Sequence, residues 1–299
     1  MEDLTFLEEL AKENNIEYFY NDKDDLEIKD KKTVFHLADL LSGEKDAVKR
    51  WDEYANNDIR CVFVYPPYLK NPNRVNVYKN ILLYQCGKVR KIFARNTVVK
   101  KYPAIEFKWF FEQNNIEGYR NAKTVYVLED KKTNQPYMCY SIGAAYFGKG
   151  KYDCEIARGA SLLGTQTVGG ASKLWKHIIA DNPDIKSIVY YVDRREYQKK
   201  SISHLMDSEA MSGEGKVYEV KGCPSFMNYW VEDVNHPDGS HWHDKGDYSN
   251  REASRNSEVV AAYHNGSCLQ VKNPGSFTNI FVRKGYYMNS KGEIVSEDK

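Results

Sequence analysis

Along residues 152–192 the hydrophobic pattern changes period twice. Tyr152 to Leu162 alternates as a half-buried strand does. Leu174, Ile178 and Ile179 then recur at helical spacing with Lys173, Lys176 and His177 off the stripe, and Lys186 to Val192 returns to a β-branched and aromatic strand run. Between the first strand and the helix, Thr165-Gln166-Thr167-Val168 ends at Gly169-Gly170, which predicts a short strand, a glycine turn and a helix start. Upstream, Ala104 to Asn115 predicts a helix. Thr124 to Leu128 and Tyr137 to Ala145, separated by the turn formers of Asp130 to Pro136, predict a hairpin.

The flanks follow other patterns. Leu4 to Asn14 and Lys45 to Ala55 predict helices, Lys32 to Leu41 holds a short apolar stretch, and Arg60 to Val64 predicts a buried strand closed by Pro66-Pro67. Residues 233–257 are polar and rich in turn formers, with His236, His241 and His243 close to Asp244 and Asp247. His-x-His beside aspartates can bind zinc, but no second pair stands at a structural-zinc spacing, so a solvated loop without metal is the reading adopted. Val259 to Tyr263, Cys268 to Val271 and Thr278 to Val282 then alternate as strands, with turns at Asn265-Gly266 and Asn273-Pro274-Gly275, and predict a small C-terminal β-appendage. The expected fold class is therefore α/β (α+β) in three parts, residues 1–88, 89–232 and 233–299.

Composition narrows the function classes. A chain of 299 residues with a net charge of +1 can bury a sizeable core but does not coat nucleic acid by charge alone. It has no apolar run near the roughly 20 residues of a membrane span, and it opens on an acidic amphipathic segment. Six scattered cysteines with no Cys-x-x-Cys pair suit reduced thiols, so a cytoplasmic setting without membrane is expected. The charge is unevenly placed. Lys88, Arg90, Lys91, Arg95, Lys100 and Lys101 fall in a stretch without an acidic residue, and Arg194, Arg195, Lys199 and Lys200 form a second cluster. Both suit phosphate-backbone contacts with DNA, the alternative being a solvated surface.

The glycine turn carries the most specific chemistry. Glycines let backbone approach a ligand, and the first free N–H groups of a helix attract phosphate with the positive end of its dipole. The spacing Gln166-x-x-Gly169-x-Ala171 is neither the Rossmann pattern nor a P-loop. It resembles the Q/R-x-x-G-x-G/A loop with which the GNAT acyltransferase family holds the pyrophosphate of acyl-coenzyme A, and the order helix, strand, strand, strand, helix, strand is similar to that fold. An ordinary strand-to-helix turn is the plainer alternative.

A closer resemblance rests on Phe111 to Tyr119, Glu155-Ile156-Ala157-Arg158, Val168 to Leu174 and Tyr190 to Arg195. Over about residues 88–232 these look like a domain of phage-encoded Hef-like homing-endonuclease proteins, itself similar to Mom-type enzymes that modify adenine in phage DNA. Two motifs depart from that family. Asn114-Asn115-Ile116-Glu117-Gly118 replaces Asn-His-x-Gln-Gly, and Gln198-Lys199-Lys200-Ser201 replaces a Gly-Asn-x-Tyr turn.

The resemblance implies a GNAT-like mixed sheet preceded by a degenerate Vsr-like nuclease-fold domain. In that domain Asp25-Leu26-Glu27, Val34 to Ala38, Ala47 and Arg50 occupy the places of the nuclease residues. It implies acyl-coenzyme A, as acetyl-CoA, held by Gln166, Val168, Gly169, Gly170, Ala171, Ser172 and Lys173. It also implies DNA as acceptor, contacted by Arg90, Lys91, Arg95, Arg194 and Arg195 in a bacterial host's cytoplasm. Asp193, at the end of its strand, is the candidate catalytic acid–base, or else a helix N-cap. Arg158 could orient a carbonyl or phosphate, or else pair with Glu155 or Asp153, while Tyr191, Ser141 and Tyr140 are candidate proton donors. The implied activity is base modification that protects phage DNA from host nucleases. A non-catalytic DNA-binding or host-defence-inhibiting relative of a homing endonuclease is the other reading.

Overall fold

The computed structural model describes residues 3–38, 47–145, 150–193, 215–220, 227–230, 242–244, 269–272 and 276–297. The chain divides into two units. The first holds residues 1–82, 193–198 and 223–276, and the second holds 83–192, 199–222 and 277–299.

The first unit begins with α1 (Thr5–Glu13), β1 (Tyr18–Tyr20), β2 (Leu26–Ile28), β3 (Thr33–Leu37), α2 (Ala47–Asn56), β4 (Arg60–Val64) and α3 (Pro72–Gln85). Its sheet has the order β1-β2-β3-β4, antiparallel except for the parallel pair β3–β4. Thr33 to His36 and Cys61 to Val64 are buried along their whole runs, which is the pattern of strands covered on both faces. Phe6 on α1 meets Tyr78 on α3 with ring centroids 6.5 Å apart, and the Tyr78 hydroxyl donates to the Phe63 carbonyl at 3.1 Å. No hydrophobic stripe announces α3. It starts on Asn71-Pro72, where the Asn71 side chain accepts the Asn73 N–H at 2.9 Å and Pro72 has no N–H left to satisfy.

The second unit continues with β5 (Arg90–Phe93), β6 (Thr97–Pro103), α4 (Lys108–Asn114), β7 (Thr124–Asp130), β8 (Pro136–Gly143), β9 (Cys154–Ser161), β10 (Thr165–Val168), α5 (Gly170–Asp181), β11 (Ser187–Asp193) and β12 (Gly215–Val220). Three strands, β13 (Met227–Trp230), β14 (Trp242–Asp244) and β15 (Leu269–Lys272), form a sheet of order β14-β13-β15 in the first unit. Then come β16 (Ser276–Arg283), β17 (Tyr286–Met288) and β18 (Ile294–Ser296). The main sheet has seven strands in the order β12-β16-β11-β9-β8-β7-β6, and β5 and β10 make a separate two-stranded ribbon.

Strand alternation assigns the two sheet faces. Leu174, Trp175, Ile178 and Ile179 of α5 pack on Leu128, Ile142, Ile156, Ile188 and Phe281. Phe107, Phe110 and Phe111, at helical spacing, pack on Val125, Val127, Cys139 and Ala160 of the other face. Each wholly buried phenylalanine stabilises by about 1.5–3 kcal/mol relative to exposure. One expectation is corrected here. Thr278 to Val282, assigned to a β-appendage, lies in β16 inside the main sheet, paired antiparallel with β12. Ile280, Phe281 and Val282 are consecutive and all buried, as an interior strand requires and a one-sided appendage does not. Val259 to Tyr263 and most of the polar stretch 233–257 lie outside the described residues.

Candidate functional site

The glycine turn lies where the pattern puts it, between β10 and α5. Its two glycines serve different ends. Gly169 has φ +74°, a left-handed conformation that costs other residues about 1 kcal/mol, yet a Cβ there would meet only Ala94 Cβ, at 3.7 Å. At Gly170 a Cβ would come within 2.7 Å of Thr167 Cγ2, 3.0 Å of Met138 Sδ and 3.1 Å of Leu128 Cδ1, so this glycine lets the helix start press against β7 and β8. Val168 and Gly169 are exposed, and Ala171, Ser172 and Lys173 are half-buried. Two of the expected coenzyme ligands are engaged within the protein. The Gln166 amide donates to the Tyr84 hydroxyl at 3.1 Å, and the Lys173 ammonium donates to the carbonyls of Ala94 and Thr97 at 2.9 and 2.5 Å. Burial, aided by the charge of Lys131, holds the Lys173 pKa below its ordinary value.

A second group of polar side chains forms on the α4 face. Ser141 stands opposite Arg158 but Ile142 opposite Ile156, so Ala157 is an extra residue in β9. This bulge turns Arg158 onto the same face as Glu155, three residues away. Glu155 is wholly buried and pairs with Arg120 at 2.5 Å, and the Tyr191 hydroxyl lies 3.5 Å from its other oxygen. Arg158 donates to the carbonyls of Gly118 at 3.3 Å and Ala157 at 3.2 Å, and the buried Ser141 hydroxyl donates to the Arg158 carbonyl at 3.5 Å. Arg158, Ser141 and Glu155 thus share one sheet face, and of the expected site residues Tyr191 is the one in contact with this carboxylate.

Tyr140 faces the other way, its ring 6.5 Å from Trp175. Asp193 ends β11, and its side chain lies outside the described residues. Asp153 instead organises the start of β11, accepting the backbone N–H groups of Lys186 and Ser187 at 2.7 and 2.9 Å.

The parallel neighbours β9 and β11 are paired from Ile188↔Cys154 to Tyr190↔Ile156, and both run on beyond that register, to Ser161 and Asp193. The glycine turn belongs to this same end. Gly170 packs on Met138, whose strand partner is Ser161. A shallow cleft of about 660 Å³, lined by Lys151, Asp153, Lys186, Ser187, Lys291 and Glu293 among others, lies at the opposite end, where the two strands begin.

The expected DNA contacts separate as well. Arg90 stacks on Tyr137, its guanidinium carbon 5.8 Å from the ring centroid, whereas Arg95 lies 5.0 Å from the ring of Phe93. Lys91 is exposed on β5, and Arg194 and Arg195 lie outside the described residues.

In the first unit, Asp25, His36 and Arg50, drawn from the expected nuclease positions, converge with Tyr54. The Asp25 carboxylate meets His36 Nδ1 at 2.7 Å, Arg50 at 3.1 Å and the Tyr54 hydroxyl at 2.5 Å. Among the described residues no three His, Cys, Asp or Glu side chains are grouped to hold a metal, and no helix is long and apolar enough to cross a membrane. Comparison with known proteins finds no family model that matches this chain and no significant match among curated proteins.

Proposed function

We propose that the second unit is a GNAT-type transferase that uses acyl-coenzyme A, with acetyl-CoA as the donor, to modify a base of DNA. In this reading the protein is phage-encoded and protects phage DNA from host nucleases, and the first unit is a Vsr-like nuclease fold kept for docking. The reading rests above all on the parallel pair β9–β11, which runs on past its paired register at the end of the sheet where the turn at Gly169 opens α5. Past that register, strand edges can accept the amide groups of a pantetheine arm. Polar groups of α/β sites gather at such carboxyl ends. The first turn of α5, half-buried behind the exposed Val168 and Gly169, offers N–H groups to a pyrophosphate. Arg158 and Tyr191 lie past that register, with Asp193 at the end of β11, and Tyr191 reaches back to Glu155 within it.

A binding-only relative of a homing endonuclease is favoured by one observation, the Asp25 carboxylate being engaged by His36, Arg50 and Tyr54 where a nuclease would present it to a cation. Calorimetry separates the two. Acetyl-CoA should bind the wild type, and Gly169→Val should abolish binding by filling the phosphate position. An absence of binding by any coenzyme A ester would leave the binding-only reading. Mass spectrometry of nucleosides from DNA of cells expressing the protein then identifies the modified base.

A further inference from the structure

The β5–β10 ribbon presents one face that runs up to the glycine turn. Residues directly opposite each other in a ribbon project to the same side, and so do alternate residues along each strand. The register Gln166↔Lys91 and Val168↔Phe93 therefore puts Lys91, Phe93, Gln166 and Val168 on one side. Tyr84 borders that side through its hydrogen bond from Gln166, and Arg95 lies over the Phe93 ring. Phe93, Tyr84 and Val168 are 42%, 41% and 40% exposed, which puts them with the exposed large hydrophobic side chains among the described residues of the second unit. Two exposed aromatic rings stand beside two exposed cations, and the stretch from Gly87 to Ala104 that carries Lys91, Phe93 and Arg95 has no acidic residue, so a stacking surface joins a phosphate-binding one.

We infer that this ribbon face binds single-stranded nucleic acid, with unpaired bases stacked on Phe93 and Tyr84 and the backbone phosphates held by Lys91 and Arg95. A duplex hides its base faces within the stack, whereas a single strand offers a flat apolar surface and a charge at every nucleotide. The face leads directly into Gly169, so a strand held there brings unpaired bases to the glycine turn. The inference deepens the DNA-acceptor reading without requiring that transfer occur.

The test is fluorescence anisotropy with a labelled 12-nucleotide single strand and the matching duplex, no coenzyme being present. The single strand should bind more tightly than the duplex. Phe93→Ala and Tyr84→Ala should each weaken it about tenfold, and Phe93→Trp should restore it. Lys91→Ala and Arg95→Ala should each lower the slope of log affinity against log salt by about 0.7. Equal affinity for the two oligonucleotides, or unchanged binding in both aromatic variants, would overturn the inference. So would coenzyme A binding that depends on Phe93 while strand binding does not. Loss of acetyl-CoA binding in Gly169→Val alone concerns the transferase reading and leaves this one standing.

Discussion

His36 and Asp25 lie 2.7 Å apart in the interior of the first unit, the imidazole of one strand against a carboxylate from the turn before its neighbour. Burial raises the Asp25 pKa. The hydrogen bond and charge of His36, the Tyr54 hydroxyl and the charge of Arg50 together outweigh it and hold the carboxyl below its ordinary 3.8. A group whose folded pKa is depressed contributes stability above its unfolded pKa and loses it as pH falls through the folded value. The first unit should therefore lose stability as pH drops below about 4, and circular dichroism during acid titration checks this. Asp25→Asn should cost about 3–5 kcal/mol at neutral pH, because it leaves the half-buried Arg50 guanidinium and the buried His36 imidazole without their carboxylate. Unchanged denaturant midpoints would refute that role.

Arg283 should hold the end of α5 against the sheet. Its guanidinium donates to the carbonyls of Ile185 at 2.8 Å, Ile179 at 2.7 Å and Asn182 at 2.8 Å, the last two at the helix C-terminus. Arg283→Ala is expected to destabilise by about 1.5–3 kcal/mol. Arg283→Lys should recover only part of it, since an ammonium lacks the planar fork that reaches several acceptors. Urea unfolding of the three proteins gives the order directly.

Gly159 carries a packing constraint. A Cβ there would lie 2.7 and 2.9 Å from carbons of the Tyr140 ring, so Gly159→Ala forces the ring to move. The expected cost is about 1–3 kcal/mol, and Tyr140→Leu in the same chain should relieve part of it. A thermal melt showing additive effects would mean the two residues are not in contact.

Cysteine reactivity should follow burial. Burial pushes the Cys154 thiol up to about 12 and Cys139 well above its usual range, whereas Cys86 is half-exposed. Iodoacetamide at neutral pH, read by peptide mass spectrometry, should modify Cys86 and spare Cys139 and Cys154. Early labelling of Cys154 would argue that β9 opens readily.

For catalysis, Asp193→Asn should keep the fold and DNA affinity but lower turnover by about a hundredfold or more if that carboxylate moves a proton. Glu155→Gln is the informative companion. It retains a hydrogen-bond acceptor for Arg120 and Tyr191 while removing the charge, so a comparable loss in Glu155→Gln alone would move the acid–base role to the buried carboxylate. Turnover unchanged in both would leave neither as the proton carrier.

The elements whose side chains declare a period were legible in the chain. The helix stripe after Gly169-Gly170, the hairpin around Asp130 to Pro136 and the alternating run at Cys154 to Ser161 all fall within a few residues of their expected places. The start of α3 was also written there, in Asn71-Pro72, but as a cap and not as a period. Local sequence determined these because capping, turn chemistry and amphipathic spacing act over a few residues.

Only the tertiary structure decided which strands are neighbours. β16 enters the main sheet about ninety residues after β11, and no local rule selects a partner at that separation. The same holds for the sites. The one-residue bulge at Ala157 puts Arg158 on the same face as Glu155, the β5–β10 register puts Phe93 beside Val168, and the fold of the first unit closes His36 and Arg50 on Asp25. Each juxtaposition depends on register between distant segments, where a slip of one residue turns every side chain to the other face.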